Sequence, residues 1–199
     1  MARRTKEDAE KTRESLLDAA EAVFLRKGVA AATLEDIAKE AGVTRGAIYW
    51  HFENKIAIFR AMHDRVKSPM DVLFEELTTG PDPLSGIRTL CQHVLTRVVE
   101  DEHARNVFTI LRLRADNMED GQEIIAKRKE VIEKFIRVFK LVEKSGKLAP
   151  GITPETAALG LHTLFSGLFW DYLTMPEIYP MPRMGPLLMD GYFEKITRA

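Results

Sequence analysis

The stretch TLEDIAKEAGVTRGAIYWHF, residues 33–52, decides the fold of the N-terminal part of this 199-residue chain. Thr33 can cap a helix through its hydroxyl, and Asp36 stands three residues later in the capping-box position. Gly42 then ends that helix, because glycine readily adopts the left-handed conformation of a helix end. Thr44 can cap a second, short helix. The first helix has an apolar stripe at helical spacing: Leu34, Ile37, Ala38 and Ala41.

Two helices joined by a glycine turn form a helix-turn-helix, which presents its second helix to the major groove of DNA. At 100° per residue, Ile48 and Phe52 point inward, whereas Gly46 points nearly opposite and lets a backbone approach. The outward side chains can donate to guanine edges and phosphates or lie against thymine methyls and sugars: Arg45, Tyr49, Trp50 and His51. The alternative is a helical hairpin of a bundle, in which Tyr49 and Trp50 pack against a neighbouring helix.

The segments on either side of this motif add further candidates for DNA contact. Asn54 can cap the next helix, whose free amide end and Lys55 suit a phosphate oxygen. A first helix is predicted over residues 6–27, ended by Gly28. The basic residues at the N-terminus can form an arm that neutralises phosphates or, alternatively, a solubilising tail: Arg3, Arg4 and Lys6.

The composition is typical of a globular protein, with 45% hydrophobic and 30% charged residues and a formal net charge of −1. A near-neutral chain lacks the basic excess typical of nucleic-acid-binding domains, so the placement of charges must supply the affinity. Residues 1–67 carry 13 lysines and arginines against 11 acidic residues, whereas residues 68–199 carry 16 against 19. The basic excess therefore lies in the part that contains the helix-turn-helix.

Apolar positions recur at helical spacing almost throughout, so the chain is predicted to be all-α. All nine prolines lie at Pro69 or later, which divides the chain into two regions. We predict a three-helix DNA-binding domain in residues 1–55 and a second helical domain in residues 56–199. The fourth helix should kink or pause at Pro69. Linkers are predicted at glycine- and proline-rich segments: residues 79–83, 149–154 and 175–186.

The sequence indicates a cytoplasmic protein with no membrane partner. No apolar run approaches the roughly 20 residues of a membrane-spanning helix, and no apolar signal core follows the basic N-terminus. Cys91 is the single cysteine, so it forms neither an intramolecular disulfide nor a cysteine cluster for zinc, and we expect a buried filler. We expect no metal and no cofactor.

The quoted stretch, followed by Asn54 and Lys55, resembles the N-terminal domain of the TetR family of repressors. The variant RGAIYWHF at residues 45–52, with RRTK at residues 3–6, is most similar to the multidrug-efflux regulators typified by AcrR and TtgR. The resemblance is close over residues 3–62 and architectural afterwards. It implies a dimeric repressor that binds a palindromic operator and is released by a small hydrophobic or aromatic effector. Residues 56–199 would then be its helical ligand-binding and dimerisation domain.

The resemblance also implies a role for each matching position. Phosphates would be clamped by Thr33, Thr44, Tyr49, His51 and Lys55. Bases would be faced by Arg45, Gly46 and Tyr49. The last two long helices, the final one at residues 184–198, would pack against their symmetry mates as a four-helix bundle.

A subunit interface is also indicated by the residues themselves, because two glycines lie seven residues apart on one helix face with a leucine between them: Gly160, Leu164 and Gly167. The alternative is close packing inside one subunit. The family implies an effector cavity lined by the fourth to eighth helices, with these candidates: Met62, Val66, Phe108, Arg112, Phe135, Phe139, His162, Phe165 and Phe169. From the residues alone, such an aromatic stripe is more often core than pocket.

The leading hypothesis is thus a repressor of a multidrug efflux operon. Alternatives are a repressor of a catabolic operon and a DNA-binding regulator without a ligand. An enzyme is not expected, because Cys91 and His93 lie on different helix faces and His103 stands in an acidic surface turn.

Overall fold

The computed structural model describes residues 6–111 and 121–198. Within these residues, the chain folds into nine helices: α1 (Lys6–Lys27), α2 (Leu34–Glu40), α3 (Arg45–His51), α4 (Lys55–Thr78), α5 (Pro83–Glu100), α6 (Glu102–Thr109), α7 (Gly121–Lys144), α8 (Pro154–Thr174) and α9 (Met181–Ile196). The prediction of an all-α fold is confirmed.

The chain divides into two compact units. The first contains residues 1–68 and 106–119, and the second contains residues 69–105 and 120–199. The predicted domain boundary between residues 55 and 56 lies at the start of α4, whereas the units divide further along this helix.

The ends of α1 and α2 follow from local chemistry in the first unit. The Thr33 hydroxyl accepts a hydrogen bond from the Asp36 amide at 3.1 Å, and the Asp36 carboxylate accepts one from the Thr33 amide at 3.1 Å. This capping box satisfies amide groups that would otherwise lack partners. Gly28 follows the last residue of α1, and Gly42 lies in the turn after α2. Their φ angles are +77° and +66°, in the left-handed region that glycine favours. Both predicted helix ends are therefore confirmed.

Helix α3 turns one face into the core of the first unit. Ile48 is fully buried and Phe52 is 5% exposed, as the 100° periodicity predicts. Beside them, the Phe24 and Phe59 rings meet edge to face, with centroids 6.2 Å apart. Burial of each such side chain contributes about 1.5–3 kcal/mol, so this short helix is held mainly by its inner face.

A polar cluster joins α1, α4 and α6 inside the first unit. The Arg65 guanidinium lies 2.7 Å from Asp18, 3.2 Å from Glu14 and 3.4 Å from Glu21. Glu21 is only 4% exposed, and its other oxygen accepts a hydrogen bond from the Asn106 side chain at 2.8 Å. Because an unpartnered buried carboxylate is costly, the contacts with Arg65 and Asn106 help to explain how Glu21 is tolerated.

In the second unit, α4 and α5 approach backbone to backbone. A Cβ atom at Gly86 would lie 1.7 Å from the Leu77 carbonyl oxygen, so only glycine fits there. Two residues further along α5, the Arg88 guanidinium lies 5.1 Å from the centroid of the Phe193 ring of α9. Cys91 is 1% exposed and burial raises the pKa of its thiol, which confirms the prediction of a buried filler.

Helices α7, α8 and α9 also pack within the second unit. The Thr153 hydroxyl caps α8 by accepting from the Thr156 amide at 3.1 Å. The Tyr192 hydroxyl of α9 donates to the Ala157 carbonyl of α8. Two rings of α8 contact each other along the buried side: the centroids of Phe165 and Phe169 lie 5.6 Å apart, and the ring planes are tilted by 40°.

Two predicted boundaries are corrected. Helix α4 does not pause at Pro69 but continues to Thr78, because a proline removes only one backbone donor; the kink predicted there stays a prediction. Helix α9 begins at Met181, so the preceding linker is shorter than predicted and Pro186 lies inside the helix. Among the described residues, no helix is both long and apolar enough to cross a membrane.

Candidate nucleic-acid interface

The outer face of α3 is open to solvent. The Thr44 hydroxyl starts this helix by accepting from the Ala47 amide at 3.2 Å. Trp50 is 72% exposed and Tyr49 is 45% exposed, so neither aromatic ring belongs to a core. This result supports the helix-turn-helix over the alternative hairpin, in which both rings would be packed. Two adjacent exposed aromatic rings form an apolar patch, which is typical of a surface that a partner covers.

Arg45 lies between an acidic and an aromatic side chain on this face. Its guanidinium lies 3.2 Å from the Glu35 carboxylate of α2, and 5.6 Å from the centroid of the Tyr49 ring. The hydrogen bond with Tyr49 and the charge of Glu35 raise the pKa of Arg45. Arginine is always charged in proteins, so these two contacts bear on where the guanidinium lies and not on its charge.

The backbone at the start of α3 is also accessible. A Cβ atom at Gly46 would find its nearest neighbour, the Thr44 hydroxyl oxygen, only at 4.0 Å. Thr33 and Thr44 are both exposed, although their hydroxyls already cap α2 and α3. Each hydroxyl keeps its own proton, so capping is compatible with donation to a phosphate.

Lys55 and His51 differ from simple phosphate clamps. The Lys55 amine donates to the carbonyl oxygens of Ala30 at 2.6 Å and Ala32 at 3.2 Å, which ties the loop before α2 to the start of α4. An ammonium group has three donors, so one remains for a phosphate. His51 is half-buried, and its ring meets the Trp50 ring edge-on at 4.5 Å. Both residues therefore make contacts within the protein in addition to any contact with a phosphate.

The basic arm predicted from the sequence is only partly described. Arg3 and Arg4 lie outside the described residues, and Lys6 is the first residue of α1. Two other cations near the motif are engaged inside the unit: Lys27 lies 2.7 Å from Asp36, and Arg26 lies 2.7 Å from Glu40.

Comparison with known proteins decides between a generic helix-turn-helix and a particular family. Residues 16–62 match the model of bacterial regulatory proteins of the tetR family, and residues 82–197 match the C-terminal region of MAATS-type transcriptional repressors. The chain belongs to the TetR family.

Full-length relatives of this TetR-family protein are known. It is 36% identical to the transcriptional regulator TtgR of Pseudomonas putida over 183 residues, which are 89% of this chain and 87% of TtgR. The crystal structure of NalD, the secondary repressor of the MexAB-OprM multidrug efflux pump in Pseudomonas aeruginosa, has a TM-score of 0.84 at 38% identity and covers 97% of this chain and 99% of NalD. The predicted likeness to the efflux-regulator subgroup is confirmed.

A ligand complex lies among the similar structures. SmeT, the repressor of the Stenotrophomonas maltophilia multidrug efflux pump SmeDEF, has been solved as a complex with triclosan. That structure has a TM-score of 0.86 at 32% identity, and the match covers 94% of this chain and 92% of SmeT.

The predicted effector residues lie in both units of this TetR-family chain. Met62, Val66 and Phe108 belong to the first unit, and the candidates from Phe135 onward belong to the second. Arg112 lies outside the described residues. Several are buried: Met62, Val66, Phe139, Phe165 and Phe169. Phe108, Phe135 and His162 are half-buried. The effector site remains a prediction.

The predicted interface residues have different surroundings. A Cβ atom at Gly160 would lie 2.8 Å from the Tyr192 hydroxyl oxygen, so this glycine permits a close approach within the chain, and its role in a subunit interface remains a prediction. Leu164 is half-buried. At Gly167, an added Cβ would meet no atom of the described chain within 4 Å. A role for Gly167 in a subunit interface remains a prediction.

The sequence analysis did not single out Glu35, which the structure places beside Arg45 on this candidate face. Nothing in the linear pattern singles it out, because an exposed glutamate in the first turn of a helix is common. Only the crossing of α2 and α3 brings its carboxylate to Arg45.

Proposed function

We propose that this protein is a transcriptional repressor that binds a palindromic operator as a homodimer and is released by a small hydrophobic effector. The observation on which this depends is the exposed face of α3, where Arg45, Tyr49 and Trp50 surround the open backbone at Gly46. A cation, two aromatic rings and an accessible backbone suit the base edges and phosphates of a major groove.

The proposed DNA contacts fall into two groups. Arg45, Gly46, Tyr49 and Trp50 would meet base edges, sugars and thymine methyls. Thr33, Thr44, Tyr49, His51 and Lys55 would contact phosphates and set the register of the helix on the duplex. Because phosphate contacts release counterions, operator affinity should fall steeply with salt.

Dimerisation is supported by the outer faces of α8 and α9. Leu159 and Trp170 lie eleven residues apart on one face of α8, and they are 51% and 47% exposed. On α9, Leu187 and Leu188 are 65% and 41% exposed. Nearby glycines leave room for another helix, since a Cβ at Gly167 or Gly191 would meet no described atom within 4 Å. Such an apolar face with small residues suits a second copy of the chain.

An effector site is supported by the interior of the second unit and by one relative. Helices α7 and α8 contribute Phe139, Phe165 and Phe169 to an apolar interior, and SmeT has been solved with triclosan bound. A repressed efflux operon is supported by NalD and SmeT, which are repressors of multidrug efflux pumps. By linkage, effector and operator would weaken each other's binding by the same factor.

The first experiment selects duplexes from a random library with the purified protein. We expect a palindrome whose half-sites lie about one helical turn apart, as two symmetry-related recognition helices require. Tyr49→Ala together with Trp50→Ala should remove selection while the fold stays intact. Enrichment of no sequence above background at low salt would contradict the proposal.

The second experiment tests assembly and release. Sedimentation should give a dimer, which Leu187→Glu dissociates, whereas Val72→Glu, an equally exposed site on α4, does not. Operator affinity is then measured with and without triclosan and a panel of aromatic compounds. Affinity that no compound lowers would contradict release by effector and leave DNA binding in place.

A further inference from the structure

An acidic side chain lies on the surface proposed to meet DNA. The Glu35 carboxylate of α2 lies 3.2 Å from the Arg45 guanidinium of α3, and both side chains are exposed, at 53% and 70%. On its other side, the same guanidinium lies over the Tyr49 ring. Arg45 is therefore held from two directions, by its own helix and by the helix before it.

The pairing of Glu35 differs from that of its neighbours. Helix α2 has three acidic residues, and in the described structure two of them pair with the end of α1: Asp36 with Lys27 and Glu40 with Arg26. Glu35 pairs with a residue of the recognition helix instead. All three acidic residues belong to the same short helix, yet only Glu35 pairs with α3.

The physical effects of Glu35 oppose each other. Its charge repels the phosphates of an approaching duplex, which lowers affinity for every sequence. Exposed ion pairs contribute little to folding stability, so stability alone does not account for the pair. An ordered guanidinium, however, loses less side-chain freedom when it binds, and its planar donors can match the two acceptors of a guanine edge. Orientation of Arg45 therefore strengthens binding to one kind of base pair, whereas repulsion between Glu35 and the phosphates weakens binding to every sequence.

We propose that Glu35 is a specificity-determining positioning residue, which orients Arg45 for readout of a guanine in the operator at the expense of general affinity for DNA. The inference rests on the proposed function and adds the mechanism by which the interface distinguishes bases. Glu35 itself touches no base in this mechanism and acts through Arg45.

The test compares ratios of affinities and not affinities alone. Using the selected operator, each base pair of a half-site is replaced in turn, and dissociation constants are measured for the wild-type protein and for Arg45→Ala. Positions at which Arg45→Ala removes discrimination are those that Arg45 reads. Glu35→Gln, which keeps the shape and removes the charge, should reduce discrimination at the same positions by roughly 3- to 10-fold. Its affinity for a non-operator duplex should be unchanged or higher.

Two controls make the result specific to the pair. Glu40→Gln removes the same charge from the same helix and should change affinity equally for all sequences. Glu35→Gln combined with Arg45→Ala should discriminate no worse than Arg45→Ala alone, because both changes remove one interaction. Circular dichroism on each variant confirms that the fold is retained.

Three outcomes would overturn the inference. Glu35→Gln could strengthen binding to every duplex by one factor with the discrimination ratios intact, in which case the carboxylate acts only by repulsion. Arg45→Ala could leave discrimination intact at every guanine, in which case there is nothing to position. Absence of sequence selection by the wild-type protein would refute the proposed function itself, and that result is distinct from the other two.

Discussion

Ile48 and Trp50 lie two residues apart on the seven-residue helix α3, yet Ile48 is fully buried and Trp50 exposes 72% of its surface. Two steps of 100° turn their side chains to nearly opposite sides of the helix. One side chain therefore holds the helix in the unit, and the other is free to meet a partner.

This separation predicts that stability and operator binding can be changed independently. Trp50→Ala should weaken operator binding by about 1–3 kcal/mol and change the free energy of unfolding by less than about 0.5 kcal/mol. Ile48→Ala should lower the free energy of unfolding by about 2–5 kcal/mol. Fluorescence anisotropy and urea unfolding, at one protein concentration, measure the two quantities. Unfolding of Trp50→Ala at much lower urea would reverse the assignment of the two faces.

Lys55 should contribute to both properties. Lys55→Ala removes two charged hydrogen bonds to the Ala30 and Ala32 carbonyls, and we expect a loss of about 1–2 kcal/mol in unfolding free energy besides weaker operator binding. Lys39→Ala, which removes an exposed lysine from α2, serves as the control and should change stability by less than about 0.5 kcal/mol. Equal stability of the two variants would mean that the carbonyl contacts do not persist in solution.

Arg65 should be a stability residue of the first unit. Arg65→Ala removes a cation that lies beside the buried Glu21, and we expect a loss of about 2–3 kcal/mol in unfolding free energy. Adding Glu21→Gln should restore part of that loss, because a neutral amide is less costly to bury. The control is Lys11→Ala, whose ion pair with Glu7 is more than 70% exposed on both sides and should contribute less than about 0.5 kcal/mol. Similar losses for Arg65→Ala and Lys11→Ala would contradict this account.

Gly86 should tolerate no larger residue. A Cβ atom there would lie 1.7 Å from the backbone oxygen of Leu77, so Gly86→Ala should lower unfolding free energy by about 3 kcal/mol or more, or prevent folding. Gly46→Ala is the matched control, because its added methyl meets nothing closer than 4.0 Å and alanine favours a helix by about 0.5–1 kcal/mol. If Gly86→Ala unfolds like the wild type, the two helices are not in backbone contact.

The N-cap of α5 predicts a pH dependence. The Lys147 side chain, at 2.9 Å, and the Ser85 amide lower the pKa of Asp82 from its ordinary value of 3.8. Because the folded pKa is lower than the unfolded one, this stabilisation is fully present above about pH 4 and is lost as the pH falls through the folded value. Asp82→Asn keeps a capping side chain but removes the charge. Its stability deficit should exist at about pH 7 and close near pH 2; a deficit that is constant over this range would refute the charge effect.

The local features of the DNA-binding motif could be predicted, because each depends on residues fewer than ten positions apart. Capping chemistry predicts the Thr33–Asp36 capping box and the glycines that follow α1 and α2. Helix geometry predicts the buried and exposed faces of α3. The same geometry placed Gly160 and Gly167 on one face, but it did not reveal that Tyr192 lies over the first and nothing described lies over the second.

By itself, the sequence determined an all-helical chain, the position of its helix-turn-helix and the exposure of Arg45, Tyr49 and Trp50. Only the tertiary structure decided which distant groups meet: Glu35 with Arg45, Lys55 with the carbonyls of Ala30 and Ala32, and Gly86 with Leu77. The physical reason is that capping and periodicity act within one or two helical turns. Contacts between helices depend instead on crossing angles and distances, which the whole packed unit sets.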